Sequence, residues 1–298
     1  MCRVGLLLVI LLSCVLDARA AESAFNRGKA ALERADLDTA LASFSEAIRE
    51  RPDDAAAYGY RAIVRSGKGN WDGALADLDT AIRLDPNLES AYVNRSVIHA
   101  RKGDRRKAVA DLTKAIRLNP NVSDYYSERA GHYTSLREYD RAIEDATRAI
   151  KINPKDSAAY DQRAVAHIAK DNFPAAVADL KTAIQVNPND PHPYNALAAF
   201  LATGPDSKFR DAKAAIGYAT TACELTRWNQ PQYLSTLAAA FAASSDFRSA
   251  VRYQKMALAV PDGLSGESRK VSQEVLQRYQ EGKPFPETVP KSPSKGNK

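Results

Sequence analysis

Ala91-Tyr92-Val93-Asn94-Arg95-Ser96-Val97-Ile98, then Gly103-Asp104, then Lys107-Ala108-Val109-Ala110-Asp111-Leu112-Thr113-Lys114-Ala115-Ile116 and a closing Asn119-Pro120 make up the stretch whose reading decides the fold. The later run places small or apolar residues at 108, 112, 115 and 116, the i, i+4, i+7, i+8 spacing of one helical face. The earlier run begins another helix, which stops at Gly103-Asp104, and Asp104 is suited to cap the next one. Asn119-Pro120 ends the second helix, because the residue before a proline is pushed out of the α region. Two helices joined by a tight turn are expected.

Outward from this stretch the same residues return every 34 positions. Proline stands at 52, 86, 120, 154 and 188, alanine at 40, 74, 108, 142 and 176 and again at 47, 81, 115, 149 and 183. Ile48, Ile82, Ile116, Ile150 and Ile184 follow the same step, as do Tyr58, Tyr92, Tyr126, Tyr160 and Tyr194. A fixed period of this size marks a stack of like supersecondary units. Such a unit cannot bury its apolar face alone and must pack on its neighbours. The repeated alanines are small where helix axes must approach closely. Regular units fall at 21–54, 55–88, 89–122, 123–156 and 157–190, with looser ones at 191–229 and 231–263. The sixth carries extra residues near Gly204-Pro205-Asp206-Ser207-Lys208. Residues 264–281 hold one more amphipathic helix, with Val271, Val275 and Tyr279 on one stripe, expected to cap the open end of the stack.

The period, the alternation of small and aromatic residues and the closing proline resemble the tetratricopeptide repeat. The resemblance covers most of the chain after residue 20, and implies an all-α right-handed superhelical solenoid of about seven helix-turn-helix units with a C-terminal capping helix. The family's Trp or Tyr at the fourth position of a unit is Tyr here from the second unit onward, whereas the first unit has Ala24. In this family the first helices line a concave wall. Carried over by register, its fifth and ninth positions become Phe25, Lys29, Gly59, Ile63, Val93, Val97, Ser127, Gly131, Asp161, Val165, Asn195 and Ala199. Some members hold a C-terminal carboxylate with Lys and Asn at these positions of the first unit. Phe25 and Lys29, or Gly59 and Ile63, do not form that clamp.

One repeated pair departs from the family. The seventh position is Arg61, Arg95, Arg129 and Arg163, and Asp77, Asp111, Asp145 and Asp179 follow sixteen residues later. Both positions face the seam between helices, where a lone charge would be costly. The guanidinium fork matches a carboxylate, so structural ion pairs within each unit are expected. Arg27 has Ser43 in the matching place and the sixth unit has Leu197, so the pattern lapses at both ends.

The N-terminus reads as a secretory signal over 1–20: Arg3, an apolar run from Val4 to Leu16, and the small-residue site Ala18-Arg19-Ala20. Leu11-Leu12-Ser13-Cys14 leaves open a lipidated Cys14. Cleavage after Ala20 leaves Cys223 as the one cysteine, so packing rather than a disulfide must supply stability. Cys223 stands where regular units have Ile, which makes it a small buried hydrophobe. The net charge of +6 lies largely in the ends, since residues 21–266 hold 33 basic and 31 acidic side chains. That balance does not give the single-signed field of a nucleic-acid binder. Residues 282–298, rich in Pro and Lys, read as a disordered basic tail.

Catalytic signals are sparse. His99 and His167 share one register with Tyr133, as packing residues do, and no His, Cys, Asp or Glu spacing resembles a zinc site. No cofactor or metal is expected, and the chain does not read as an enzyme. The sequence leads to a protein-binding scaffold of the bacterial cell envelope, periplasmic or secreted, taking an extended or helical peptide in its concave groove. The alternative is an envelope-organising lipoprotein anchored through Cys14.

Overall fold

Alanine is the residue around which the helices close. Ala40, Ala74, Ala108, Ala142 and Ala176, with Ala47, Ala81, Ala115, Ala149 and Ala183, are all fully buried. The computed structural model describes residues 24–261 and 263–285; the signal reading, Cys14 and the rest of the tail lie outside the described residues. Described residues form α-helices and one 3₁₀ turn, with no strand among them. They fall into two compact units, one ending at Glu138 and the other starting at Tyr139, so the division runs through the fourth repeat.

The first unit holds α1 (residues 24–33), α2 (Leu37–Glu50), α3 (Ala55–Gly67), α4 (Trp71–Leu84), α5 (Glu89–Arg101), α6 (Arg105–Leu118) and α7 (Ser123–Ser135). The second holds α8 (Tyr139–Ile152), α9 (Ser157–Ala169), α10 (Phe173–Val186), α11 (Pro191–Thr203), α12 (Ala212–Leu225), α13 (Pro231–Ala243), α14 (Phe247–Ala259) and α15 (Gly266–Gln280). Inside each unit consecutive helices pack antiparallel pair on pair, the tetratricopeptide-like solenoid arrangement. Leu78, Leu112 and Leu180 fill equivalent places between paired helices, each contributing about 2 kcal/mol by leaving water. At the start of the first unit, Gly28 lets α1 approach the Phe44 ring, which a Cβ there would meet at 2.7 Å.

The turns are set locally. Asp36, Asn70 and Asp104 cap α2, α4 and α6 by accepting from the backbone N–H three residues on. Proline occupies the first turn of α10, α11 and α13. Two fourth-position tyrosines tie their repeat to the proline closing the one before, Tyr92 and Tyr126 donating to the carbonyls of Pro86 and Pro120, both at 3.2 Å. The extra residues of the sixth repeat fold into a 3₁₀ turn, Ser207–Phe209. Phe209 anchors it by packing on Phe173 and Phe200, with ring centroids 5.8 and 6.0 Å away.

Two places differ from the sequence expectation. Val275 and Tyr279 of α15 are buried against the end of the stack, but Val271 is 46% exposed, where α14 meets α15 through polar contacts instead, Arg269 donating to the Leu258 carbonyl and Gln254 to that of Ser272. Residues 282–285 are docked rather than disordered. Arg278 donates from Nε and Nη2 to the Pro284 carbonyl at 3.2 Å, and Phe285 packs into the cluster of Tyr279, Phe247 and Ala242. Aromatic burial outweighs the proline-rich composition there.

The residue before the cap of the second helix is left-handed in the first five repeats: Ala35, Gly69, Gly103, Arg137 and Asp171 all have positive φ. A Cβ on Gly103 would meet nothing within 4 Å. Gly103→Ala therefore isolates the backbone cost, and is expected to destabilise by about 1 kcal/mol in urea unfolding. An unchanged midpoint would show that this turn carries no conformational strain.

Candidate functional site

The arginines of the seventh position form the most regular polar feature. Arg61 donates to Asp77 from Nε at 2.9 Å and from Nη2 at 2.7 Å, a bidentate fork. Arg95 holds Asp111 in the same way at 3.0 and 2.6 Å, and Arg163 holds Asp179 at 2.8 and 2.7 Å. All three carboxylates are buried, and the hydrogen bonds to Asp111 and Asp179 hold the protons of Arg95 and Arg163 more tightly than usual. Arg129 belongs to the first unit and Asp145, also buried, to the second.

Each arginine also reaches backwards, a contact that the sequence reading missed. Nη1 of Arg61, Arg95, Arg129 and Arg163 donates to Ser45, Asp79, Thr113 and Thr147, each sixteen residues earlier. The guanidinium lies over the fourth-position tyrosine of its own repeat, 5.4–5.8 Å from the ring centroid. One side chain therefore joins its own helix to the second helix of its repeat and to that of the repeat before. The first repeat does otherwise, with Arg27 paired to Glu46 at 2.6 Å. Leu197, fully buried among Ala164, Ala176 and Leu180, takes the arginine's place in the sixth.

A second ladder runs along the surface: Lys68 to Asp38, Lys102 to Asp72 and Lys170 to Asp140, thirty residues apart. These aspartates are exposed, and such pairs contribute about 0–1 kcal/mol each. His99 stands 3.9 Å from Asp111, and burial lowers the pKa of His99, His132 and His167. Among the described residues no group of three or more His, Cys, Asp or Glu side chains is placed to hold a metal ion. Cys223 is fully buried and burial pushes its thiol up to about 12, the environment of a packing residue.

The residues transferred to the concave wall divide by register. At the ninth position Lys29 is exposed, Ile63 and Val97 are each 38% exposed, and Gly131, Val165 and Ala199 are half-buried. The fifth position is more covered. Phe25 packs on Phe44 and Tyr60 at centroid distances of 5.6 and 5.3 Å, so its ring belongs to the core. Gly59 is buried, Val93 is half-buried, and buried Ser127 donates its hydroxyl to the Asp124 carbonyl at 3.1 Å. Asp161 and Asn195 are half-buried, each with its Oδ1 buried and without a hydrogen-bond partner. The ninth position is therefore the more accessible row in the first repeats, and in the later ones both rows are half-buried.

Ile63 and Val97 open onto a cavity of about 80 Å³ between α3 and α5, whose lining includes Ala62, Ser66, Leu78 and Asn94. In the second unit a cavity of about 470 Å³ lies between the ends of α11 and α13, and the chain's own Pro284 and Phe285 form part of its wall.

Asp111→Ala is expected to cost about 3 kcal/mol in urea unfolding, since it leaves Arg95 partly buried without its carboxylate. Replacing both, Arg95→Met with Asp111→Leu, should restore most of that stability. A loss under about 1 kcal/mol in the single variant would show that water already screens the pair.

The tetratricopeptide repeat family model matches residues 25–89 and 93–157. Among solved structures, a tetratricopeptide repeat protein from Parabacteroides merdae is 18% identical over 88% of this chain and 99% of its own, with a TM-score of 0.63. PilW, a widely conserved type IV pilus biogenesis factor, is 17% identical over 73% of this chain and 97% of its own, with a TM-score of 0.62. MamA protein is 22% identical over 57% of this chain and 92% of its own, with a TM-score of 0.52. No curated protein matches the chain. Proteins with this fold generally act as non-catalytic scaffolds that bind protein or peptide partners. From the 34-residue period, the stacked helix pairs and the family match, the chain is a tetratricopeptide-repeat protein.

Proposed function

We propose that this protein is a non-catalytic interaction scaffold of the bacterial cell envelope, which grips an extended or helical peptide along the first helices of its repeats. The observation that carries this reading is the exposed pair Ile63 and Val97, adjoining a small cavity between α3 and α5. Neighbouring exposed aliphatics around a concavity favour an apolar side chain of a partner. Small residues in its lining, Ala62 and Ser66, leave room for that side chain. Export is supported by Arg3, the apolar run and Ala18-Arg19-Ala20. Among the described residues no helix is long and apolar enough to cross a membrane.

The groove is tested with displayed random peptides selected on the full chain. Val97→Glu places a charge where the apolar anchor would sit, and is expected to weaken the selected peptides at least tenfold with the helical circular dichroism unchanged. Arg106→Glu, on the exposed face of α6, should alter binding little. Cutting the chain after Phe285 leaves the docked residues in place, and should leave capture intact. Loss of capture in that truncation, with the Val97 variant unaffected, would move the site to the tail.

The tetrapeptide ending at Cys14 favours a second reading, a lipoprotein anchored through that cysteine. Mass spectrometry of the mature chain separates the two. Ala21 at the N-terminus is the expected outcome, and a diacylated Cys14 would establish the anchor.

A further inference from the structure

The buried carboxylates Asp77, Asp111 and Asp179 each take an arginine fork, but among the described residues Asp161 takes none. Its Oδ1 is buried on α9 without a hydrogen-bond partner. One repeat further on, at the same register of α11, the Oδ1 of Asn195 is also buried and unpartnered. The two helices touch, and their fifth positions are the ones that turn polar and stay unsatisfied, since Ser127 at this register satisfies itself on the Asp124 carbonyl. His192, one helical turn before Asn195, sets its ring edge-on to Tyr233 of α13 at 5.9 Å. Asp190 also acts on this region, but it is engaged as the cap of α11 through the His192 amide.

Two buried acceptors left open in this way cost stability unless a donor reaches them. Burial pushes the Asp161 carboxyl up to about 6, with the charge of Asp190 adding to the rise and His192 opposing it. Tyr233 feels the same carboxylates, its phenol being raised by burial and then by Asp190 and Asp161. A carboxylate and an amide carbonyl on touching helices, both with open lone pairs and with His192 and Tyr233 within electrostatic reach of the carboxylate, suit a desolvated cation.

We propose that Asp161 and Asn195, with His192 and Tyr233 beside them, form a subsite for the basic side chain of a bound peptide, a lysine ammonium or an arginine guanidinium. The proposal rests on the peptide-binding reading above and adds the chemistry of a partner held on the second unit: a positive charge. An incoming cation gives Asp161 what the seventh-position arginines give the other buried carboxylates, and its remaining N–H groups reach Asn195.

The experiment selects displayed random 12-mers on the full wild-type chain and on Asp161→Asn and Asn195→Leu. The wild-type pool is expected to be enriched in Lys or Arg at one position, and the enrichment to vanish with Asp161→Asn. A peptide made to the wild-type consensus should bind at least tenfold weaker when its basic residue is replaced by norleucine. Asp161→Asn should also raise the thermal midpoint at pH 7, because it removes a desolvated charge. If that variant fails to fold, the norleucine comparison on wild type still decides. Peptides selected without a basic preference, or a preference that survives Asp161→Asn, would sink the subsite and leave the groove standing. Selection of no peptide at all would overturn both readings.

Discussion

Everything regular in this molecule hangs on a guanidinium that touches three helices at once. A tetratricopeptide unit has no stability of its own, so whatever joins a unit to its neighbour sets the cohesion of the stack. In most such seams apolar contact alone does this. Here Arg95 adds a directional bond, forward to Asp111 and backward to Asp79, while the Tyr92 ring covers its face. The forward fork fixes the crossing of two helices within a repeat. The backward bond fixes the spacing between repeats. Because the fork admits one geometry, it limits how far neighbouring helix pairs can slide.

That constraint also explains where an open surface is left. The seventh position is spent on cohesion and the fifth is partly covered, as the Phe25 ring against Phe44 and Tyr60 and the buried Ser127 hydroxyl show. The ninth position, one turn further along the same face, escapes both. Asp161 and Asn195 occupy the covered register with groups that want partners, so the local rule and the local chemistry disagree there. Disagreements of this kind gather at functional positions in natural proteins, where a residue is kept for something other than packing.

The repeat was legible because period, proline and small residues are properties of spacing, which the sequence displays directly. The forward ion pairs were legible for the same reason, since Arg and Asp are chemically distinct and travel together at a fixed offset. The backward partners were hidden. Ser45, Asp79, Thr113 and Thr147 share a position but not a residue type, and only the reach of the arginine reveals that each is an acceptor. Coverage of Phe25 was hidden too, because part of it is supplied by Tyr60 of the next repeat. The docking of Phe285 was masked by its prolines, whose composition reads as loose chain whether or not an aromatic ring is anchored within it.

The arginine ladder stops at Leu197, and from there to the end the second unit is joined by alanine, leucine and stacked rings such as Phe241 on Tyr253, 5.3 Å apart. The chain thus contains two cements of different chemistry. Temperature moves both the same way, since apolar cohesion weakens on cooling and the desolvation cost of an ion pair falls as water warms. Denaturant chemistry, not heat, tells them apart. A guanidinium salt, unlike urea, also competes directly for the carboxylates that the arginines hold. The choice of denaturant therefore selects which of the two cements is seen to fail.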